Sequence, residues 1–564
     1  MATQGNGTTI PETVIGDIKR AFLSPLFASF AYQLSLRGPM PDRIYNRPVS
    51  LRVGRAQMGE DILRGRFVLP GGSLTVREDA PWTVKGPGES FAESLHGFGW
   101  LDHLNAHGSA IAIDHLRALV GAWIDDPGRG GIIAWRPHVT ARRLISWLTY
   151  GQLLVDGTDM VYRSRVLVSL GRQARHLSRS FFATRPGAPR LTAAIGITLA
   201  GLCLRDSRTR LSRGFGLLAR ELDLQILPDG GHISRNPQQH LELLSDLASL
   251  RSALVKAQIE VPGELASAVD RMMPMLRFFR HGDGRLALFN GAGEGAEGAA
   301  SMVLDYDDAR GKPFDYASHS GFHRLSAGRS VIILDAGYTP KVSQKNHAGC
   351  LSFELSSARH RIVVNCGASP LLAPEWREAG RATAAHSTLV VDDTSSLPPM
   401  QVTSTRSEQN DDILVEASHD GYARNFHFIH SRRLFLAANG EDIRGEDILT
   451  PTNSARANRS GRCAYVIRFH LHPDVRASLA RDGSNALVVL GNGDGWQFRA
   501  RGGNLALEES IYLGAEGAVR RCQQIVVSGE TGRAGGHLKW AWRRISPRAQ
   551  GGERRESAWP DDDA

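Results

Sequence analysis

The sequence predicts an α+β multidomain fold in which a helical solenoid or toroid is followed by a large antiparallel β-sandwich. Two observations carry this. From about residue 90 to 280 the apolar residues recur at helical spacing, as in Leu116, Val120 and Trp123 or in Leu243, Leu247, Leu250 and Leu254, with loops such as DDPGRGG and TRPGAP between segments. From about residue 305 the period becomes two. SVIILDAG, LSFELSS, RIVVNCG, STLVVDD, YVIRFHLHP, NALVVLG, QIVVSG and LKWAWRR are short β-rich runs parted by Gly, Asn and Asp turns.

Taken in chain order, residues 1–89 begin with an apolar run, AFLSPLFASFAYQLSL, behind Lys19 and Arg20. Glu12 and Asp17 precede it, Pro25 and Gln33 interrupt it, and no clear cleavage site follows, so it reads as an ordinary helix, with a signal segment as the weaker alternative. SLRVG and GSLTVRE, between residues 45 and 85, predict a small β-element. The helical domain then occupies residues 90–300 and the sandwich 305–548, and the polar, charged tail 549–564 is expected to be disordered. No run of 18 or more apolar residues occurs, so no membrane-spanning helix is expected.

The formal charge of +9, from 67 Lys and Arg against 58 Asp and Glu, favours anionic partners. The arginines are scattered and no zinc-finger or RNP signature appears, which argues against nucleic acid and leaves acidic polysaccharide or anionic lipid. Cys203, Cys350, Cys366, Cys463 and Cys522 are odd in number and lack CxxC spacing. They read as buried thiols and not as a disulfide framework.

Three polar groups on strand ends stand out. His347 precedes the strand in KNHAGCLSFELS, Asn365 ends the one in RIVVNCG, and His386 opens the one in STLVVDD. Two neutral imidazoles and one oxygen suit a single zinc ion, although Asn is a weaker ligand than a carboxylate. The alternative is that each histidine bonds within its own loop. Arg377 and Arg381, in EWREAGR, have the chemistry to grip a carboxylate, with a solvated loop as the plainer reading. Tyr306 and Tyr316 sit in the connection between the two domains, whereas Tyr422 lies within the sandwich. His470 and His472, in FHLHP, read as strand residues because no third ligand accompanies them. No convincing carboxylate pair for a glycoside hydrolase, which needs a separation of about 5 to 9.5 Å, stands out, and only Asp229 and Glu242 stay open.

The runs NHAGCLSFELSSARHRIVVNCG, AAHSTLVVDD, HDGY, GEDIL and RFHLHPDV resemble the C-terminal domain of the heparinase II/III-like family. ESLHGFGWLDHL and LPDGGHISRNPQQHLELLSDL are similar to that family's toroid, and the resemblance spans roughly residues 90 to 545. It implies an (α/α) toroid, an antiparallel β-sandwich and an active cleft between them, in a polysaccharide lyase for uronate-containing glycans. It also implies the cell envelope (periplasm), with the cytoplasm as the alternative because no clear export signal is present.

Such a lyase removes the C5 proton, which requires the neighbouring uronate carboxylate to be neutralised by donors or a cation. A Tyr or His must act as base and a second group must protonate the leaving oxygen. DGGHISRNPQQH resembles the family segment that supplies these groups, implying Asn236 and His240, with Glu242 beside His240 and Tyr316 as a tyrosine candidate. His240 also keeps helical register with Leu243, Leu244 and Leu247, so a core histidine is equally open. Against the family pattern His-x-His-x-Asp, Lys345 takes the first position, His347 the second and Gly349 the Asp position, while Asn365 replaces a strand-ending Asp. Lysine serves as a fixed cation but is a poor neutral-pH base unless burial lowers its pKa. The expectation is β-elimination on an acidic polysaccharide by Asn236, His240, Lys345 and Tyr316, with Arg377 and Arg381 on the substrate and zinc on His347, Asn365 and His386. The rival is a non-catalytic acidic-glycan-binding protein that keeps the fold.

Overall fold

The computed structural model describes residues 26–27, 29–77, 80–126, 131–205, 208–306, 311–340, 346–452, 462–532 and 534–545. Lys345 and the tail 549–564 lie outside the described residues.

The helical half runs to Tyr306. Leu116, Val120 and Trp123 are buried on the helix Ala110–Asp125, and Leu243, Leu247, Leu250 and Leu254 on Pro237–Lys256, as their spacing predicts. Helix starts are set by side-chain caps: the Ser109 hydroxyl accepts from Ala112 N–H, and Asn236 Oδ1 accepts from Gln239 N–H just ahead of Pro237 at the first helical position. The helix Ala188–Leu204 is apolar almost all round, and it is accordingly enclosed, packing on Pro137–Thr149 and Arg208–Gln225. Phe98, Trp123 and Trp147 form an aromatic centre, with Trp123 and Trp147 5.6 Å apart edge to face and the buried Arg143 guanidinium 4.1 Å over Trp123. Of the two expected β-segments before the toroid, GSLT pairs as Gly72–Thr75 with Arg66–Leu69. SLRVG is not a strand. Ser50 and Arg52 are instead drawn onto toroid side chains by hydrogen bonds to Asp102 and Asp246, so the segment lies along the cleft with no partner strand.

All eight β-rich runs contain a strand. One sheet orders Asn504–Tyr512, Arg520–Glu530, Ala464–Leu471, His360–Val364, Phe353–Ser357, Ser330–Asp335, Phe322–Ala327 and Tyr316–Ala317, and Leu389–Val391 also pairs with Ala464–Leu471. The second orders Arg476–Leu479, Asn485–Val489, Gly495–Arg501, Gly536–Ile545, Asp442–Pro451, Phe428–Leu436, Asp412–His419 and Val402–Gln409. Strict alternation of buried and half-buried residues along Asp412–His419 marks a sheet with one face on the core. Between the sheets Phe353 stacks on Trp540 at 5.4 Å, and Gly445 is required opposite, since a Cβ there would stand 2.0 Å from the Trp540 ring.

Toroid and sandwich are welded together. Phe322 of the sandwich packs edge-on to Phe279 at 5.1 Å, and the fully buried His281 reaches Glu354 Oε2 at 3.0 Å and Ser356 Oγ at 2.9 Å. Glu354 Oε1 in turn accepts from Leu288 N–H and Asn365 N–H, tying both halves to one carboxylate.

Candidate functional site at the seam between toroid and sandwich

Several of the expected residues do meet at this seam. Asn236 Nδ2 donates to Asn290 O at 2.9 Å, and the next residue, Gly291, lies so close to His347 that an added Cβ would be 2.7 Å from its Nε2. The rings of His347 and His386 sit edge to face with centroids 5.6 Å apart. Each histidine donates Nδ1–H to a backbone carbonyl, His347 to Gly380 O at 3.0 Å and His386 to Ala382 O at 2.8 Å, which leaves a lone pair on each Nε2. Burial, and then the neighbouring His386, push the His347 pKa down to about 3, and burial lowers that of His386 as well, so both rings are neutral at pH 7.

That arrangement is the one zinc ligands use, yet the third position fails. Asn365 Oδ1 already accepts from Ser387 N–H at 3.0 Å, and its buried Nδ2, a donor, has no partner. Among the described residues no group of three His, Cys, Asp or Glu side chains is placed to hold a metal ion. The set therefore does not fit zinc, which needs at least three anionic or imidazole ligands. Gly349, at the position of the family's Asp, reinforces this: a Cβ there would be 2.6 Å from His386 Cδ2, so the imidazole occupies the room a carboxylate would need.

The other candidates are dispersed. His240 is buried in the helical core, donates Nε2–H to Met272 O at 3.0 Å, and leaves a buried Nδ1 without a partner; burial lowers its pKa to about 4. The geometry is that of the core histidine its Leu243, Leu244 and Leu247 register allowed. Tyr316 is an exposed strand residue stacked on His323 at 4.2 Å, with its hydroxyl 3.5 Å from Ser404 Oγ. Tyr422 OH donates to Leu389 O inside the sandwich, and Tyr306 pairs with Ser252 on the toroid surface. Arg381 is spent on Glu378 at 2.6 Å and on Asn346 O, whereas Arg377 carries a buried Nε with no partner. Asp229 closes a turn by accepting from the N–H groups of Gly231, His319 and Ser320.

A cavity of about 400 Å³ opens beside this cluster, within the size range of sugar and cofactor pockets. Its walls are the arm at residues 51–55, toroid residues Asp102, His103 and Arg142, the start of the helix Pro237–Lys256, and Pro370, Leu371 and Glu516 of the sandwich. Apart from Glu242, its charged groups are not among the residues expected from the sequence. Arg52 donates Nε to Asp246 Oδ1 at 3.2 Å and Nη2 to Oδ2 at 3.0 Å, and Arg142 grips the same carboxylate at 3.2 and 2.5 Å. Burial alone would raise the Asp246 pKa, but Arg142 and Arg52 outweigh it and hold it at about 2. Arg55 lies beside Glu516, and burial and then the neighbouring Arg285 lower its pKa. Asp102 accepts from Ser50 and Tyr150 hydroxyls, and burial raises its pKa and that of Tyr150. His103 Nδ1 accepts from Arg55 N–H at 3.1 Å, so its proton sits on Nε2; burial and Arg55 lower its pKa to about 4. One signal for this site was available in the sequence: Asp246 falls three residues after Leu243 on the apolar stripe of LELLSDLASL, and a carboxylate there demands a buried partner.

A toroid of helices is thus joined to a two-sheet antiparallel sandwich, with a cavity of mixed polar and apolar lining at their seam. The chain belongs to the heparinase II/III-like family: the heparinase II/III-like C-terminal domain matches residues 309–543. Among solved structures it is similar to heparinase III, with a TM-score of 0.72, 14% identity, and 94% of this chain and 92% of that chain covered. The heparan sulfate lyase HepC from Pedobacter heparinus matches with a TM-score of 0.59 at 16% identity, covering 95% and 90%. FtsZ-localized protein C of Caulobacter vibrioides is 31% identical over 540 residues, 91% of this chain and 92% of that protein. No helix among the described residues is long and apolar enough to cross a membrane.

Proposed function

We propose that this chain is a glycan-binding protein of the bacterial division apparatus that keeps the lyase fold and does not carry out β-elimination. The observation that carries this reading is the state of the cleft arginines: Arg52 and Arg142 are both held by Asp246. Elimination needs a cation whose charge is free to neutralise the uronate carboxylate, and the charges of Arg52 and Arg142 are already balanced by Asp246. It also needs a base, and His103 presents a protonated Nε2 while the Tyr150 hydroxyl donates its hydrogen bond to Asp102. The end-to-end similarity to FtsZ-localized protein C supports work at the division site and favours the cytoplasmic side over the cell envelope.

Cleavage of a uronate polymer is the second reading, with Asn236, His240, Lys345 and Tyr316 as its catalytic set and Arg377 and Arg381 on the acidic polysaccharide. It is favoured by one observation, the neutral imidazoles of His347 and His386, which sit edge to face with centroids 5.6 Å apart and each carry a lone pair on Nε2. Ultraviolet absorbance of a 4,5-unsaturated product separates the readings. We expect none from heparan, hyaluronan, alginate or bacterial uronate polymers; absorbance lost in an Asn236→Ala variant that stays folded would establish the lyase. A fluorescent fusion should gather at the division plane only while FtsZ is present, and an FtsZ-indifferent, diffuse signal would remove the division role.

A further inference from the structure

The net charge of the chain suggests an acidic ligand, but the cavity is not where that charge is available. Its walls hold Arg52, Arg55 and Arg142 against Asp102, Glu242 and Glu516, and Asp246 lies directly beneath two of the arginines. The two best-formed pairs are multidentate, with Asp246 only 5% exposed and Arg52 and Arg142 about a quarter exposed at 27% and 23%. A uronate or sulfate entering here would have to pull a guanidinium away from a partner that already provides ideal geometry. It would also approach Glu242, whose exposed carboxylate accepts only a 3.3 Å bond from Gln238 Nε2 among the described residues. Like charges brought together in a partly desolvated pocket oppose binding.

What the cavity does offer is a mixture that suits hydroxyl groups. Arg52 Nη1 and Arg142 Nε take no part in the bonds to Asp246, His103 contributes a neutral Nε2–H donor, and Gln238 adds an amide fixed by Gly293 N–H at 2.9 Å. Between them lie Leu51, Val53, Met58, Leu241 and Leu371, apolar surface that matches the C–H faces of a pyranose ring. Charge pairs within the protein also make the pocket insensitive to the ionic strength that governs exposed polyanion sites.

Resting on the glycan-binding reading above, we infer that the seam cavity binds an uncharged sugar, recognised through its hydroxyls, and excludes carboxylated or sulfated glycans because its arginines are neutralised from within. The experiment is calorimetric titration of the full chain with uncharged oligosaccharides (β-glucan and N-acetylglucosamine hexamers) and with heparan, hyaluronan and alginate oligosaccharides, each at low and high salt. At least one uncharged oligosaccharide should bind about tenfold or more tighter than every acidic one, with an affinity that changes less than about twofold with salt. Glu516→Gln, which removes the carboxylate beside Arg55, and Asp246→Asn, which frees Arg52 and Arg142, should raise affinity for the acidic oligosaccharides about tenfold and make it salt-dependent. If Asp246→Asn does not fold, Glu516→Gln at the cavity rim carries the test alone. Tight, salt-sensitive binding of acidic oligosaccharides by the unaltered chain would overturn the inference and leave glycan binding standing. Binding of no sugar of either kind would overturn both.

Discussion

Replacing Asp246 by Asn tests the geometry of the cavity floor through stability. In the folded chain the Asp246 pKa falls from 3.8 to about 2, the work of two guanidiniums that donate four hydrogen bonds to one carboxylate. A difference of almost two units, at 1.36 kcal/mol each, corresponds to about 2 kcal/mol of stability. Because the folded pKa is the depressed one, this contribution is complete above the unfolded value of 3.8 and is lost as pH falls towards 2. The substitution removes it and also leaves two arginines facing each other. Breaking a buried ion pair costs about 3–5 kcal/mol, and because Arg52 and Arg142 retain 27% and 23% exposure for hydration, the lower end applies, near 3 kcal/mol. For a chain of this size that is a fall in Tm of roughly 2–3 °C. Denaturant titration at pH 7 and at steps down to pH 2 measures it, and the gap between the two proteins should narrow in acid. A loss under about 1 kcal/mol at pH 7, or a gap that stays constant through that window, would refute the claim that both arginines depend on this carboxylate.

Asp447, wholly enclosed between the sheets, accepts from Arg432 Nε at 2.8 Å, His430 Nε2 at 2.7 Å and Trp540 Nε1 at 2.8 Å, so Asp447→Asn should cost about 4 kcal/mol in the same assay; a change near zero would mean the buried Arg432 has another counter-charge. Protein purified without added metal should carry far less than one zinc per chain, unchanged by a His347→Ala, His386→Ala double substitution, and stoichiometric zinc that disappears in that variant would show the donor set complete after all. Gly291→Ala should destabilise the seam by about 1–2 kcal/mol for its φ of +84° alone, and should shift the His347 imidazole resonances because the new Cβ lies 2.7 Å from Nε2. Unmoved His347 resonances would contradict that contact.

The sequence alone determined the order of the two halves and most of their elements. Helical spacing such as Leu116, Val120 and Trp123, and alternation such as that in SVIILDAG, are local consequences of backbone geometry, so they can be read one segment at a time. The strand-end positions of His347 and His386 were equally legible, and the fold did bring the two rings together. What the local pattern could not decide was which way each polar side chain would be committed. His240 satisfied both a catalytic and a core reading until the helix carrying it was laid against Met272. Asn365 had the right position for a ligand, and only the approach of Ser387 N–H showed its oxygen to be taken. The cavity's electrostatics were further from view. Arg142 and Arg52 stand 104 and 194 positions before Asp246, and no periodicity links residues so separated. Their pairing is a product of toroid closure, because a buried carboxylate takes whichever cations the packed helices and the arm at residues 51–55 deliver, and that delivery turned a chain with a +9 surplus into one whose cleft is neutralised.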